Sequence, residues 1–255
     1  MKQAMIFAAG LGTRLKPLTD TMPKALVKVG GEPLLKHVVL RLKNAGFTRI
    51  VVNVHHFAGQ IINYLQENNN FGLDIYISDE REGLLETGGG IKKALPLFDQ
   101  NSPILIHNVD ILNNVDLSHF VGSQPTAQPV DALLLVSPRP TKRYLLFEES
   151  MQLCGWTNVE TGEVRSPYDS LRNTNSLSLF PHLEKLAFSG IHVLFPSVYH
   201  CFEEMPQRFS IIDFYLKFCN KYSFLGCNKK DLRLLDVGKL DSIEQADHFL
   251  RVEDT

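Results

Sequence analysis

The sequence predicts a Rossmann-like, doubly wound α/β sheet with a smaller mixed lobe, and three observations carry that expectation. Strand and helix signals alternate at short intervals through the first half of the 255 residues. The stretch "TRIVVNV" (48–54) is a β-branched run without polar alternation, as a strand covered on both faces requires. The first apolar strand, "QAMIFAA" (3–9), leads straight into a glycine-rich loop.

After that loop, "PLLKHVVLRLKNAG" (33–46) puts Leu34, Leu35, Val38, Val39 and Leu42 on one helical face and ends at Gly46, a helix stop. A helix around "GQIINYLQEN", a strand at "LDIYIS", a loop to "TGGGIKKAL" and a strand at "PILIHNVD" complete the first half, residues 1–120. In residues 121–255 the pattern loosens. "DALLLVS", "RYLLFE" and "QLCGWTN" read as strands in antiparallel hairpins, and "KLAFSGIHVLF" as a strand passing through a glycine. "SIIDFYLKFCN" and "LDSIEQADHFLR" read as helices, and "RVEDT" as a solvated end. With no Ser/Gly linker and no repeat, one domain spanning 1–255 is expected.

Hydrophobic residues make up 44% of the chain, charged residues 21%, and the formal net charge is −2. That balance excludes a global field recruiting nucleic acid or an anionic membrane, so anion handling is local. Cys154, Cys201, Cys219 and Cys227 show no metal spacing and are read as small reduced thiols. No apolar run reaches the ~20 residues of a membrane span, which suggests a cytoplasmic protein. His55 and His56 are read as a polar strand terminus rather than metal ligands. Trp156 is read as packing, and the lysine pairs at 92–93 and 229–230 as solvated charge.

The loop "AAGLGTRLKPLTDTMPKAL" (8–26) decides the functional reading. Gly10 and Gly12 fit a dinucleotide fingerprint, but Leu15 holds the third glycine's place and Pro17 forbids a regular helix, which disfavours a nicotinamide oxidoreductase. No Walker sequence occurs. What remains is a turn whose bare N–H groups can cradle phosphate. Arg14 offers a fork of donors to phosphate oxygens, and Lys24 adds a point charge.

This stretch resembles the signature of the sugar-1-phosphate nucleotidyltransferases, G-x-G-T-R-x(4)-T-x(3)-P-K. "LLETGGGI" (84–91), "NVDIL" (108–112), "AFSGIHV" (187–193) and "LLDVGKLDSIEQA" (234–246) extend the likeness. The branch it most resembles holds the N-acetylmuramate-1-phosphate uridylyltransferases and the mannose-1-phosphate guanylyltransferases. The resemblance implies a GT-A-like fold and a reaction joining a sugar 1-phosphate to the α-phosphate of a nucleoside triphosphate. It implies Arg14, Lys24 and Asp110 as catalytic residues. Nucleotide contacts would come from Ala8, Ala9, Gly10, Gly12, Thr13, Arg14, Lys24, Thr87, Gly88 and Asn108, with Thr87 and the Gly88 backbone at the base edge. Gly190 and Asp236 would meet the sugar phosphate, and Asp110 and Asp236 would hold Mg²⁺. UTP is the favoured nucleotide, with cell-wall recycling as the setting, and GTP with mannose or heptose 1-phosphate is the alternative. A non-catalytic nucleotide-sensing module is the rival of another class. The chain departs from the family pattern at Val109, where glycine or alanine is usual, and at Lys239 and Leu240 in "DVGKLDS". The sequence leaves the oligomeric state open between monomer and dimer.

Overall fold

A computed structural model describes residues 1–122, 129–172 and 180–253. In chain order the strands are β1 (Gln3–Phe7), β2 (Lys28–Val29), β3 (Glu32–Pro33), β4 (Arg49–Val54), β5 (Asp74–Asp79), β6 (Ile104–Asn108) and β7 (Ile111–Asn113). They continue as β8 (Ala132–Ser137), β9 (Arg143–Phe147), β10 (Leu153–Asn158), β11 (Glu163–Arg165), β12 (Glu184–Leu194), β13 (Phe224–Asn228) and β14 (Leu234–Asp236). The helices are α1 (Leu34–Asn44), α2 (Ala58–Glu67), α3 (Glu86–Ala94), α4 (Leu117–Gly122), α5 (Asp169–Arg172), α6 (Ile211–Phe218) and α7 (Asp241–Glu253).

A ten-stranded mixed sheet runs β11-β10-β9-β12-β6-β1-β4-β5, with β8 pairing β12 and β13 beyond it. The parallel set β5-β4-β1-β6 is the part the alternating sequence predicts. Side-chain alternation divides it cleanly. Ala4 and Ile6 of β1 face a core shared with α1 and α2, while Met5 faces the opposite core with α3 and α6. Each Leu or Ile fully buried there contributes about 1.5–3 kcal/mol.

The expected face of α1 is the buried one. Its end is closed by Gly46 at φ 82, with Phe47 N donating to Leu42 O and Gly46 N to Lys43 O, the paired bonds of a Schellman stop. The second half contains the expected antiparallel β9–β10 hairpin, and adds two pairings that the pattern did not show. β13 runs parallel to β8, and β14 pairs with β7 in a separate two-stranded ladder. β12 bulges at Gly190, where φ is 78 and the register with β8 shifts between Phe188 and His192. Cys154, Cys201 and Cys219 are buried free thiols, and burial pushes Cys154 and Cys219 up to about 12, so neither is a ready nucleophile. Trp156 is half-buried with Arg165 over its ring.

Of the lysine pairs, Lys93 and Lys230 are exposed as expected, whereas Lys92 and Lys229 are half-buried. Lys92 Nζ donates to Met205 O, Lys93 Nζ to Asp79 O, and Lys229 pairs with Asp231. The helix "SIIDFYLKFCN" ends at Phe218, two residues early. The last two residues of "RVEDT" lie outside the described chain. Among the described residues no helix is long and apolar enough to cross a membrane.

Two histidines are sealed in the sheet. Burial holds His192 down to about 3 and His107 down to about 4. An unfolded imidazole titrates near 6.5, so below that pH the unfolded chain binds protons that the folded chain refuses. Stability is therefore full above about pH 6.5 and falls as pH drops, by about 1.4 kcal/mol per pH unit per histidine. Thermal melts from pH 7.5 to 5 should show this decline, and His192→Leu should flatten part of it. A melting temperature that is constant across the range would contradict the burial argument.

Candidate active site

The register of the central sheet builds the site. β1 lies between β4 and β6 with Phe7 opposite Asn53 on one side and Asn108 on the other. The chain segments leaving β1 and β6 therefore emerge together at the carboxyl edge, where doubly wound sheets hold ligands. They line a cavity of about 410 Å³.

On the β1 side Ala8 and Ala9 are buried, and their N–H groups donate to Asn53 Oδ1 at 2.7 and 3.3 Å. Gly12 adopts φ 64, and a Cβ there would lie 2.8 Å from Thr19 Cγ2, so the turn admits only glycine. Thr19 Oγ1 donates back to Gly12 O at 2.8 Å. As Pro17 predicts, the loop forms only short 3₁₀ turns, at Thr13–Leu15, Leu18–Asp20 and Lys24–Leu26. Arg14 is exposed on the cavity wall and makes no ion pair or hydrogen bond among the described residues. Lys24 is only 8% exposed, and its Nζ is paired with Asp110 Oδ2.

On the β6 side Asn108, Val109 and Asp110 line the cavity. His107 sits beneath them. Its Nδ1 contacts Asn108 O at 2.7 Å and its Nε2 contacts Asn113 Nδ2 at 3.0 Å. A carbonyl oxygen can only accept, so the neutral ring carries its proton on Nδ1 and accepts at Nε2. Gly190 backs Asn108 closely, since a Cβ at 190 would lie 2.4 Å from Asn108 Nδ2.

The β7–β14 ladder brings the distant carboxylate in. Asp236 pairs in register with Ile111, and Val237 N donates to Asp110 O at 2.8 Å. A Cβ on Gly238 would stand 2.6 Å from Asp236 Oδ1 and 2.7 Å from Arg14 Nη2, so Asp236 sits beside Arg14. Gly238 lines the cavity, and Asp236, two residues before it, is exposed outside the lining. Among the described residues no group of three or more His, Cys, Asp or Glu forms a metal nest. Two carboxylates still suit magnesium, which takes one or two from protein and the rest from phosphates and water.

The structure thus gathers Ala8, Ala9, Gly10, Gly12, Thr13, Arg14, Lys24, Thr87, Asn108 and Asp110 on one cavity. Gly88, Gly190 and Asp236 lie outside its lining. Gly88 does not present the free backbone expected of it. Its N–H donates to Phe209 O at 2.9 Å, and a Cβ there would lie 2.2 Å from the Phe209 ring. Thr87 Oγ1 likewise accepts from Ile211 N at 2.9 Å. Sequence reasoning missed Asn53 and Glu80, both 1% exposed and both on the cavity wall. The available signal was a polar pair placed at strand ends. His55 is a polar strand end, its Nδ1 on Glu80 O at 2.7 Å.

Comparison with known proteins shows the family and the fold. The nucleotidyl transferase family profile matches residues 3–144. The chain belongs to that family. It is 36% identical over 200 residues to the N-acetylmuramate alpha-1-phosphate uridylyltransferase of Caulobacter vibrioides, covering 77% of this chain and 76% of that protein. To the enzyme of the same name from Neisseria meningitidis serogroup B it is 47% identical over 116 residues, 46% of this chain and half of the relative's length. A solved putative glucose-1-phosphate thymidylyltransferase from Bacillus anthracis superposes with TM-score 0.77 at 17% identity, covering 98% and 96% of the two chains, which shows the shared GT-A-like fold.

Gly190→Ala tests the backing of Asn108. Left-handed backbone and the clash together should cost about 2–3 kcal/mol in urea denaturation. A variant as stable as wild type would show that Asn108 can yield.

Proposed function

We propose that the chain is a Mg²⁺-dependent sugar-1-phosphate nucleotidyltransferase using UTP with N-acetylmuramate 1-phosphate or a related amino-sugar phosphate. The observation that carries the reading is the convergence of an uncommitted Arg14, the Lys24–Asp110 pair and the glycine turn on one cavity. Both relatives named above bear the uridylyltransferase name, which supports the choice of base and sugar.

In the reaction a phosphate oxygen of the sugar 1-phosphate attacks the α-phosphorus. A P–O bond forms there, the α–β bridge breaks, and pyrophosphate leaves with the electron pair. The nucleophile is already ionised near neutral pH, so no general base is required, and catalysis is positioning and charge compensation. Arg14 grips the triphosphate through its planar fork. Lys24 turns from Asp110 to the reacting phosphates. Asp110 and Asp236 would hold magnesium, which when bound neutralises phosphate charge. Residues 1–120 serve the nucleotide and 121–255 the sugar phosphate, with Gly190 keeping the wall thin beside Asn108. The setting is the cytoplasm, in supply or recycling of cell-wall sugars.

Pyrophosphate release measured across UTP, GTP, CTP and dTTP against a panel of sugar 1-phosphates should peak with UTP and N-acetylmuramate 1-phosphate. Activity confined to GTP with mannose or heptose 1-phosphate would overturn the uridylyl assignment. Tight UTP binding without turnover on any sugar would mark a nucleotide-sensing module instead.

Asp110→Asn and Lys24→Ala should each lower kcat by about 100-fold or more, and the first should also blunt the response to magnesium. Near-wild-type rates in both would refute the site.

A further inference from the structure

The cavity wall holds a buried carboxylate that no cation balances. Glu80 is 1% exposed and makes no ion pair among the described residues. Burying such a charge is expensive unless donors satisfy it. Here the donors are neutral. Asn53 Nδ2 donates to Glu80 Oε1 at 2.7 Å and Leu85 N donates to Glu80 Oε2 at 3.1 Å. The other end of Asn53 accepts from Ala8 N and Ala9 N. Backbone N–H groups can only donate and the carboxylate accepts, so the amide of Asn53 has one allowed orientation. The chain of bonds runs from the glycine turn, through Asn53 and Glu80, to the opposite wall at Leu84–Thr87.

The local sequence makes room for it. A Cβ on Gly90 would lie 2.9 Å from Glu80 Oε1 and 3.3 Å from Asn53 Nδ2. The Phe7 ring, at 2.9 Å, crowds the same position, so the third glycine of "TGGGI" admits both the pair and the ring.

Resting on the nucleotidyl-transfer reading, we propose that Asn53 and Glu80 act together as a positioning pair that fixes the two walls of the nucleotide site at the spacing a triphosphate needs. They touch no reacting atom. The pair sets nucleoside triphosphate affinity and leaves the sugar phosphate alone, and its requirement is for matched donors and acceptors, not for a carboxylate at position 80.

That requirement gives a polarity-swap test. Glu80→Gln leaves two donors facing, either against Asn53 or against Leu85 N. Asn53→Asp sets two carboxylates against each other. Together, Asn53→Asp with Glu80→Gln restores the pattern: Asp at 53 accepts from Ala8, Ala9 and the new amide, whose oxygen accepts from Leu85 N. Two readouts apply to the four proteins. Hydrogen exchange in the ligand-free state follows residues 8–15 and 84–90. Calorimetry with UTP, and GTP in parallel, gives affinity, beside KM for the sugar phosphate. Each single change should speed exchange in both segments and weaken nucleotide binding about tenfold or more, with the sugar-phosphate KM unmoved. The swap should return both readouts to near wild type. If a single variant is too unstable to purify, the swap alone decides. A swap as weak as Glu80→Gln overturns the inference, because it shows the carboxylate itself meeting the ligand. Singles indistinguishable from a nucleotide-binding wild type also overturn it, whereas a wild type that binds no nucleoside triphosphate overturns the functional reading.

Discussion

Lys24 and Asp110 form an ion pair on the lining of the cavity, and the placing of that pair constrains much of the site. Lys24 can reach Asp110 only because β1 and β6 are neighbours in register, so the two loops leave the sheet side by side. The glycine turn must then fold back tightly, which Gly12 and the Thr19 hydrogen bond accomplish. The turn after β6 must be held from below, which His107 and Asn113 do. Both partners are largely removed from water, so each charge depends on the other more than surface ions would.

How much of this was legible in the sequence depends on the range of the interaction. The individual strands of the first half, α1 with its Gly46 stop, and the glycine turn after β1 were readable because each shows as a pattern within about ten residues, where periodicity and turn chemistry are expressed. The glycine run 88–90 was visible but its reason was not. The resemblance placed the Gly88 backbone at the base edge, whereas Phe209, Gln207 and Glu80 crowd the three positions of the run. Those neighbours come from the segment before α6 and from the end of β5, and no local pattern announces them. Asn53 and Glu80 escaped for the same reason. A lone Asn ending an apolar strand is an ordinary strand end until its partners are known. The parallel pairing of β13 with β8 was likewise hidden, since Gly226 interrupts a short strand that tertiary contact alone secures.

The carboxylates fall into distinct classes. Glu86 is paired with Arg208 at the surface, where such pairs contribute little. Glu80 is satisfied by neutral donors and so belongs to the scaffold. Asp110 is held by its ion pair with the buried Lys24, and Asp236 ends a two-stranded ladder outside the main sheet.

The bare cavity illustrates why a single cation is insufficient. Among its charged groups Arg14 alone is an uncommitted cation, and the turn amides at Ala8 and Ala9 are already bonded to Asn53. A nucleoside triphosphate and a sugar phosphate together bring several negative charges into this space. If Lys24 swung to them unaided, Asp110 would be left half-buried and unpaired, and breaking such a pair from one side costs about 3–5 kcal/mol. The proposed reaction therefore ties the release of Lys24 to the arrival of positive charge at Asp110. Lys239 is exposed and follows Gly238 of the cavity lining in the chain. Charge compensation here is an exchange of partners around Asp110, and the glycine turn supplies the fixed frame in which that exchange occurs.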